Sequence, residues 1–129
     1  MFIAHLPAGY LLTHRIGGQR RTSSGAAFAV GLTFSILPDF DLLYFYLIDQ
    51  RQTLHHDYWP HTPLFWLAMA GTFALALRLA GKREYMVLVW VALANVLLHL
   101  ALDSIAADIR WLYPFSEARF NLVEIPARF

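Results

Sequence analysis

The sequence predicts an all-α fold: a small multi-pass membrane bundle of about four antiparallel helices, with a polar His/Asp cluster at one end. Three observations predict it. First, the 129 residues are 58% hydrophobic and 16% aromatic but only 15% charged, and mean hydropathy is +0.47. Ordinary soluble domains carry about 25% charged residues, and a small soluble domain needs polar groups to cover its large relative surface. Second, the apolar residues gather into four long stretches. Third, the breaks between stretches carry helix-ending and helix-starting residues. The chain reads as one membrane-embedded domain over residues 1–129.

The first stretch, Met1 to Thr13, is short for a span. The second runs from about Gly25 to Ile48 and is interrupted at Pro38-Asp39-Phe40-Asp41, where proline breaks or restarts the helix. The third, Pro63 to Ala80, follows Thr62, an N-cap residue type before a proline at the first helical position. Gly81 is its natural stop, and Gly81 to Glu84 make a tight antiparallel turn. The fourth runs from Tyr85 to about Ala107, apolar on all sides over its first ten residues, as expected of a helix buried in lipid and protein. A span needs about 17–25 apolar residues, which the second, third and fourth stretches supply.

Composition also excludes functions. A net charge of +1 gives no electrostatic case for nucleic acid, and the absence of cysteine removes disulfides, thiolate metal sites and a cysteine nucleophile. No Gly-x-Ser-x-Gly element or phosphate-cradling glycine loop is present. A cleavable signal peptide is not expected, because the positive charges follow the first apolar stretch instead of preceding it. Basic residues set orientation. Arg15, Arg20 and Arg21 in the first loop, with Arg78, Lys82 and Arg83 near the tight turn, are expected on the cytoplasmic side. The Asp49–His61 loop, with Arg51 against Asp49 and Asp57, is expected outside. Tyr44, Tyr46, Tyr58, Trp59, Trp66, Trp111 and Tyr113 then fall near the outer boundary, as an aromatic belt would.

On this map His5, Asp39, Asp41, His56, His61, His99 and Asp103 converge on the same end of an up-down bundle, although they come from four separate chain regions. Asn95, His99 and Asp103 recur every four residues and share one helical face. Ionisable groups inside a span cost roughly 2.5–3.5 kcal/mol each on insertion scales, so they call for partners, and a cation is an efficient one. Imidazole and carboxylate ligands without thiolate suit Zn²⁺, with Mn²⁺ and Fe²⁺ as alternatives. Seven candidate ligands exceed the three of a mononuclear catalytic zinc and fit more than one ion, with Asp39 or Asp41 bridging. Asp39, Asp41 and His61 are the candidate catalytic groups, and Asn95 is expected to orient His99. His55 and Asp57 are read as loop neighbours, and Arg15, Arg110 and Arg119 as headgroup anchors.

These motifs resemble the YdjM-type family of bacterial inner-membrane-bound metal-dependent hydrolases. Leu37-Pro38-Asp39-Phe40-Asp41 resembles its LPDxD signature. His55-His56-Asp57-Tyr58-Trp59-Pro60-His61-Thr62 is similar to its HHRGxTHS run with the histidines in register. His99 and Asp103, followed by Trp111 to Phe115, resemble its late HxxxD and downstream proline segment, and His5 matches its early histidine. Asp57 stands where that family usually has arginine, and Tyr58 where it has glycine. The resemblance implies a multi-pass protein of the bacterial inner membrane. It also implies hydrolysis of a phosphoester or related bond through metal-activated water, by a distant likeness to zinc-dependent phospholipase C and nuclease folds. The lipid bilayer, and a small-molecule or lipid substrate, are the expected partners. Two other readings fit the same residues: a metal-ion or proton transporter or its subunit, and a structural membrane protein that uses His–Asp pairs to join helices.

Overall fold

A computed structural model describes residues 2–17, 24–53 and 55–123. The described residues are helical, without strands. Helix α1 is Phe2–Gly17, α2 is Ser24–Ile36, α3 is Asp41–Leu47, α4 is Pro63–Leu79 and α5 is Met86–Asp103. Pro38 does not end the second stretch but converts it, over Leu37–Phe40, to a single tight 3₁₀ turn that leads directly into α3. The α2–α3 unit is therefore one interrupted helix, and the described residues form four helical units.

α1, α2 and α5 form the inner bundle. α1 runs antiparallel to both of its partners, so His5 meets Asp39 and Asp103 at one end, while Thr13 meets Asn95 lower down. The register is set by small residues. A Cβ at Gly9 would come within 2.5 Å of Ser35 Cβ and 2.8 Å of Asn95 Oδ1, and one at Gly31 would collide with the Thr13 hydroxyl. Backbones that approach this closely exclude larger side chains, the packing mode of membrane helices. α5 is the central element. Val87, Val91, Asn95, His99 and Asp103 all lie on its buried stripe, the i, i+4 face read from the sequence.

α4 packs along α5, and Trp66 joins Val96 and Leu100 in the core cluster. Gly81 has φ +72° at the turn after α4, a left-handed conformation that glycine adopts without steric cost. Thr62 occupies the N-cap position of α4, but its side chain does not cap. The hydroxyl donates instead to the Trp59 carbonyl at 2.6 Å, and Pro63, which has no N–H, leaves one donor fewer to satisfy. α5 ends at Asp103, four residues before the apolar stretch does, where Ser104 turns its hydroxyl back to the Leu100 carbonyl. The following segment folds back on the bundle, with Ile109 fully buried and bridged to Phe120.

Two helical units have the length and apolarity of membrane spans: Gly25–Leu47, 23 residues, and Arg83–Asp103, 21 residues. α4, with 17 residues, and α1, with 16, are shorter. At 1.5 Å per residue they reach about 26 and 24 Å, against a hydrocarbon core of about 30 Å. Of the three stretches expected to span, the second and fourth form helical units of full length and the third forms a helix of 17 residues, at the lower limit of a span; α1, like the first stretch, is shorter. Arg20, Arg21, Glu124 and Arg128 lie outside the described residues.

Candidate metal centre

The Leu37–Phe40 turn points the Asp39 carboxylate into the bundle rather than along the helix. A second 3₁₀ turn, Trp59–His61, closed by Pro60 and by Trp66 Nε1 donating to the Pro60 carbonyl at 2.7 Å, does the same for His61. α5 brings His99 and Asp103 on consecutive turns, and α1 brings His5. All five side chains are buried: His61 is 0% exposed, His5 and His99 1%, Asp103 4% and Asp39 5%.

Asp39, His61, His99 and Asp103 each offer one ligand atom, and the four atoms lie within 4.8 Å of one another. His99 Nε2 is 3.1 Å from Asp103 Oδ2 and 3.6 Å from Asp39 Oδ1; His61 Nε2 is 3.8 Å from each of these oxygens. An ion bonded tetrahedrally at about 2.0–2.1 Å to N and O ligands holds them about 3.3 Å apart. The observed edges straddle that value, so the four groups fit a divalent cation. The second nitrogens support the same arrangement. His99 Nδ1 donates to the Ser35 carbonyl at 2.8 Å, and His61 Nδ1 to Asp41 Oδ2 at 3.0 Å. With Nδ1–H used outward, both Nε2 lone pairs point inward at one space, the tautomer a metal-binding histidine needs. Two buried carboxylates are costly without compensating charge, and one divalent cation cancels both.

His61 lies in the loop before α4. Burial pulls its pKa down, but the bonds to Asp39 and Asp41 and the Asp41 charge outweigh it, leaving the imidazole above its ordinary 6.5.

Each remaining candidate has a definite place. Asp41 stands behind His61, on the nitrogen facing away from the cluster. His5 adjoins both carboxylates from the other side, Nδ1 3.4 Å from Asp39 Oδ2 and Nε2 3.1 Å from Asp103 Oδ1, with its ring 4.0 Å from that of His99. His56 is at the rim, 28% exposed, with Nε2 3.9 Å from Asp103 Oδ2. The side chain of His55 lies outside the described residues. Of the seven candidates, Asp39, His61, His99 and Asp103 form the group whose ligand atoms lie together, with His5 on the other oxygens of the two carboxylates.

Asn95 does not orient His99. Its amide donates to Thr13 Oγ1 and the Val91 carbonyl one turn below, and the Ser35 carbonyl takes the orienting role. No side-chain motif marks that carbonyl, because it is backbone. Arg110 and Arg119, read as headgroup anchors, both reach protein partners. Arg119 pairs with Asp57 at 2.8 Å, and Arg110 approaches the same carboxylate at 3.6 Å and the Asp57 carbonyl at 2.5 Å. They tie the histidine loop to the C-terminal segment. Reversed charge at Asp57 relative to the resembled motif could have suggested such a pairing.

No curated protein matches the chain, and no solved structure does. The family model described as YdjM inner membrane protein matches residues 1–129, the whole chain. A bilayer environment follows from that match, and the two long apolar helices are consistent with it. The chain belongs to the YdjM inner membrane protein family.

Proposed function

We propose that this protein is a membrane-bound, metal-dependent hydrolase acting on a phosphoester or related bond of a lipid or membrane-proximal substrate. The observation that carries the reading is the enclosed group of Asp39, His61, His99 and Asp103, whose imidazoles both turn Nε2 inward. A divalent cation held there by Asp39, His61, His99 and Asp103 would supply Lewis-acid chemistry and make water more acidic, toward a pKa of about 7.

The protein's own residues do the rest. Asp39 and Asp103 neutralise the cation and fix its position. Asp41 and the Ser35 carbonyl hold the two imidazoles in register, as carboxylate and carbonyl partners of metal-binding histidines do. His5 faces one oxygen of each carboxylate and keeps both from rotating away. His56, at the exposed rim, is the side chain best positioned to meet a substrate and exchange a proton with it. Zn²⁺ is the preferred ion, with Mn²⁺ and Fe²⁺ compatible with the same donors. Arg15, Arg78, Lys82 and Arg83, at the helix ends away from the histidine loop, support a site on the outer face of the inner membrane.

The test is turnover of phosphoester substrates by the full chain in detergent. Hydrolysis of an aryl phosphodiester or a phospholipid should vanish on chelation, return with zinc or manganese, and be absent in Asp39→Asn. A metal-loaded protein that cleaves neither phosphomonoesters, phosphodiesters nor lipid carboxylic esters would remove the hydrolase reading.

A further inference from the structure

α2 and α4 both lean on α5, yet they diverge, meeting near one end where Phe34 stands edge-on to Trp66 with ring centres 6.0 Å apart. The space between them is a groove of about 1030 Å³, as large as the upper range of small-molecule sites, about 1,000 Å³. Trp66 and Val96 form its floor, 9% and 0% exposed, while Phe40 and Phe73 stand at its open side, 57% and 56% exposed. Its lining is apolar almost throughout. The one carboxylate among the described lining residues is Asp41, the group that holds His61.

Three features identify the occupant. The groove lies along Gly25–Leu47 and Arg83–Asp103, the two spans of full membrane length, so its open side faces hydrocarbon. From Phe65 to Phe73 it follows α4 for eight residues, about 12 Å, close to the depth of one leaflet, about 15 Å of a 30 Å core. Its polar end carries Tyr44, Tyr58 and Trp59, residue types that favour the headgroup boundary, and is one imidazole ring from the metal-binding group. A hydrocarbon chain one leaflet long, attached to a polar head, matches this sequence of surfaces.

We infer that the groove seats one acyl chain of a membrane phospholipid, with the lipid's headgroup at the end lined by Tyr44, Tyr58 and Trp59, beside the loop that carries His56 and His61. The fate of the phosphate rests on the hydrolase reading; the seat for the chain does not. The substrate class is thereby narrowed from any phosphoester to a long-chain phospholipid.

The test uses the full chain in phosphatidylcholine vesicles containing phosphatidic acid with a photoreactive diazirine at its chain terminus. Adducts should concentrate at Phe73 and Leu88, the deep end of the groove. Ala70→Trp, which fills the groove, should lower their yield about tenfold, equivalent to about 1.4 kcal/mol of lost chain contact. Leu75→Trp, on the exposed face of α4, should not, and both variants should keep their metal content. In the wild type, unlabelled long-chain lysophosphatidic acid should compete and glycerol phosphate should not, a check that needs no variant. Adducts spread over Leu11, Leu43 and Leu79 in proportion to exposure, unmoved by either substitution or competitor, would mean ordinary bilayer contact and overturn the proposal. So would cross-links from the groove to a second copy of the chain. Concentrated adducts without hydrolysis of any phospholipid would sink the hydrolase reading alone. Phospholipid hydrolysis with diffuse adducts would sink the groove alone.

Discussion

Single atoms decide what each polar residue at the centre can do. Asp39 and Asp41 are two residues apart in one motif, yet the 3₁₀ turn sends them to different sides of His61: Asp39 faces Nε2 and Asp41 bonds Nδ1. Ligand and orienter should therefore respond differently to the same change. Asp41→Asn should weaken zinc binding by about 10–100-fold, the usual effect of losing an orienting carboxylate. Asp39→Asn should leave no measurable site, because a neutral amide replaces a charge that the cation needs. Competition against a chelator of known affinity measures both, and equal losses in the two variants would contradict the assignment of roles. Residue types were legible in the sequence at this scale, since His and Asp in apolar surroundings call for partners. Atom-level roles were not, because Asp41 and Asp39 differ only in where a turn sends them. Asn95 sits on the correct face of α5, but its amide is taken by Thr13 and Val91, and a backbone carbonyl holds His99 instead.

At the level of elements, close contact among α1, α2 and α5 controls the site. Gly9 lies one turn below His5 and against Ser35 and Asn95. Gly9→Val would force α1 outward, with an overpacking cost of about 1–3 kcal/mol, and would draw His5 away from both carboxylates. Thermal unfolding followed by near-UV circular dichroism should show a lower midpoint for this variant, with weakened zinc affinity. A variant that melts and binds zinc as the wild type does would show that this contact carries neither stability nor site geometry. Helix positions were readable from their punctuation: Pro63 at the start of α4, Gly81 after it, and the four-residue stripe on α5. The fold-back of residues 104–123 was not. It depends on long-range pairs, Arg119 and Arg110 with Asp57, whose partners lie more than fifty residues away and which resemble headgroup anchors when read singly. The more exposed of the two, Arg119, makes the kind of surface pair that contributes only about 0–1 kcal/mol, so its effect is on where the histidine loop rests more than on stability.

Across the whole molecule, two full-length spans and two shorter helices enclose a polar centre at one end of an otherwise apolar body. Composition pointed to a membrane environment from the outset, because 15% charged residues cannot cover a soluble surface. Of the stretches read as spans, the third is the marginal one: its helix, Pro63–Leu79, has 17 residues, at the lower limit of a span. The proposed function requires that the buried carboxylates hold a cation. Metal content of the detergent-purified full chain, after reconstitution with zinc and removal of excess, tests that most directly. The wild type should retain about one equivalent, as a single four-ligand position would, and Asp103→Asn should retain none while its helix content by far-UV circular dichroism stays unchanged. A wild type that binds no zinc, manganese or iron, or an Asp103→Asn protein that keeps its metal, would contradict a metal centre at this site.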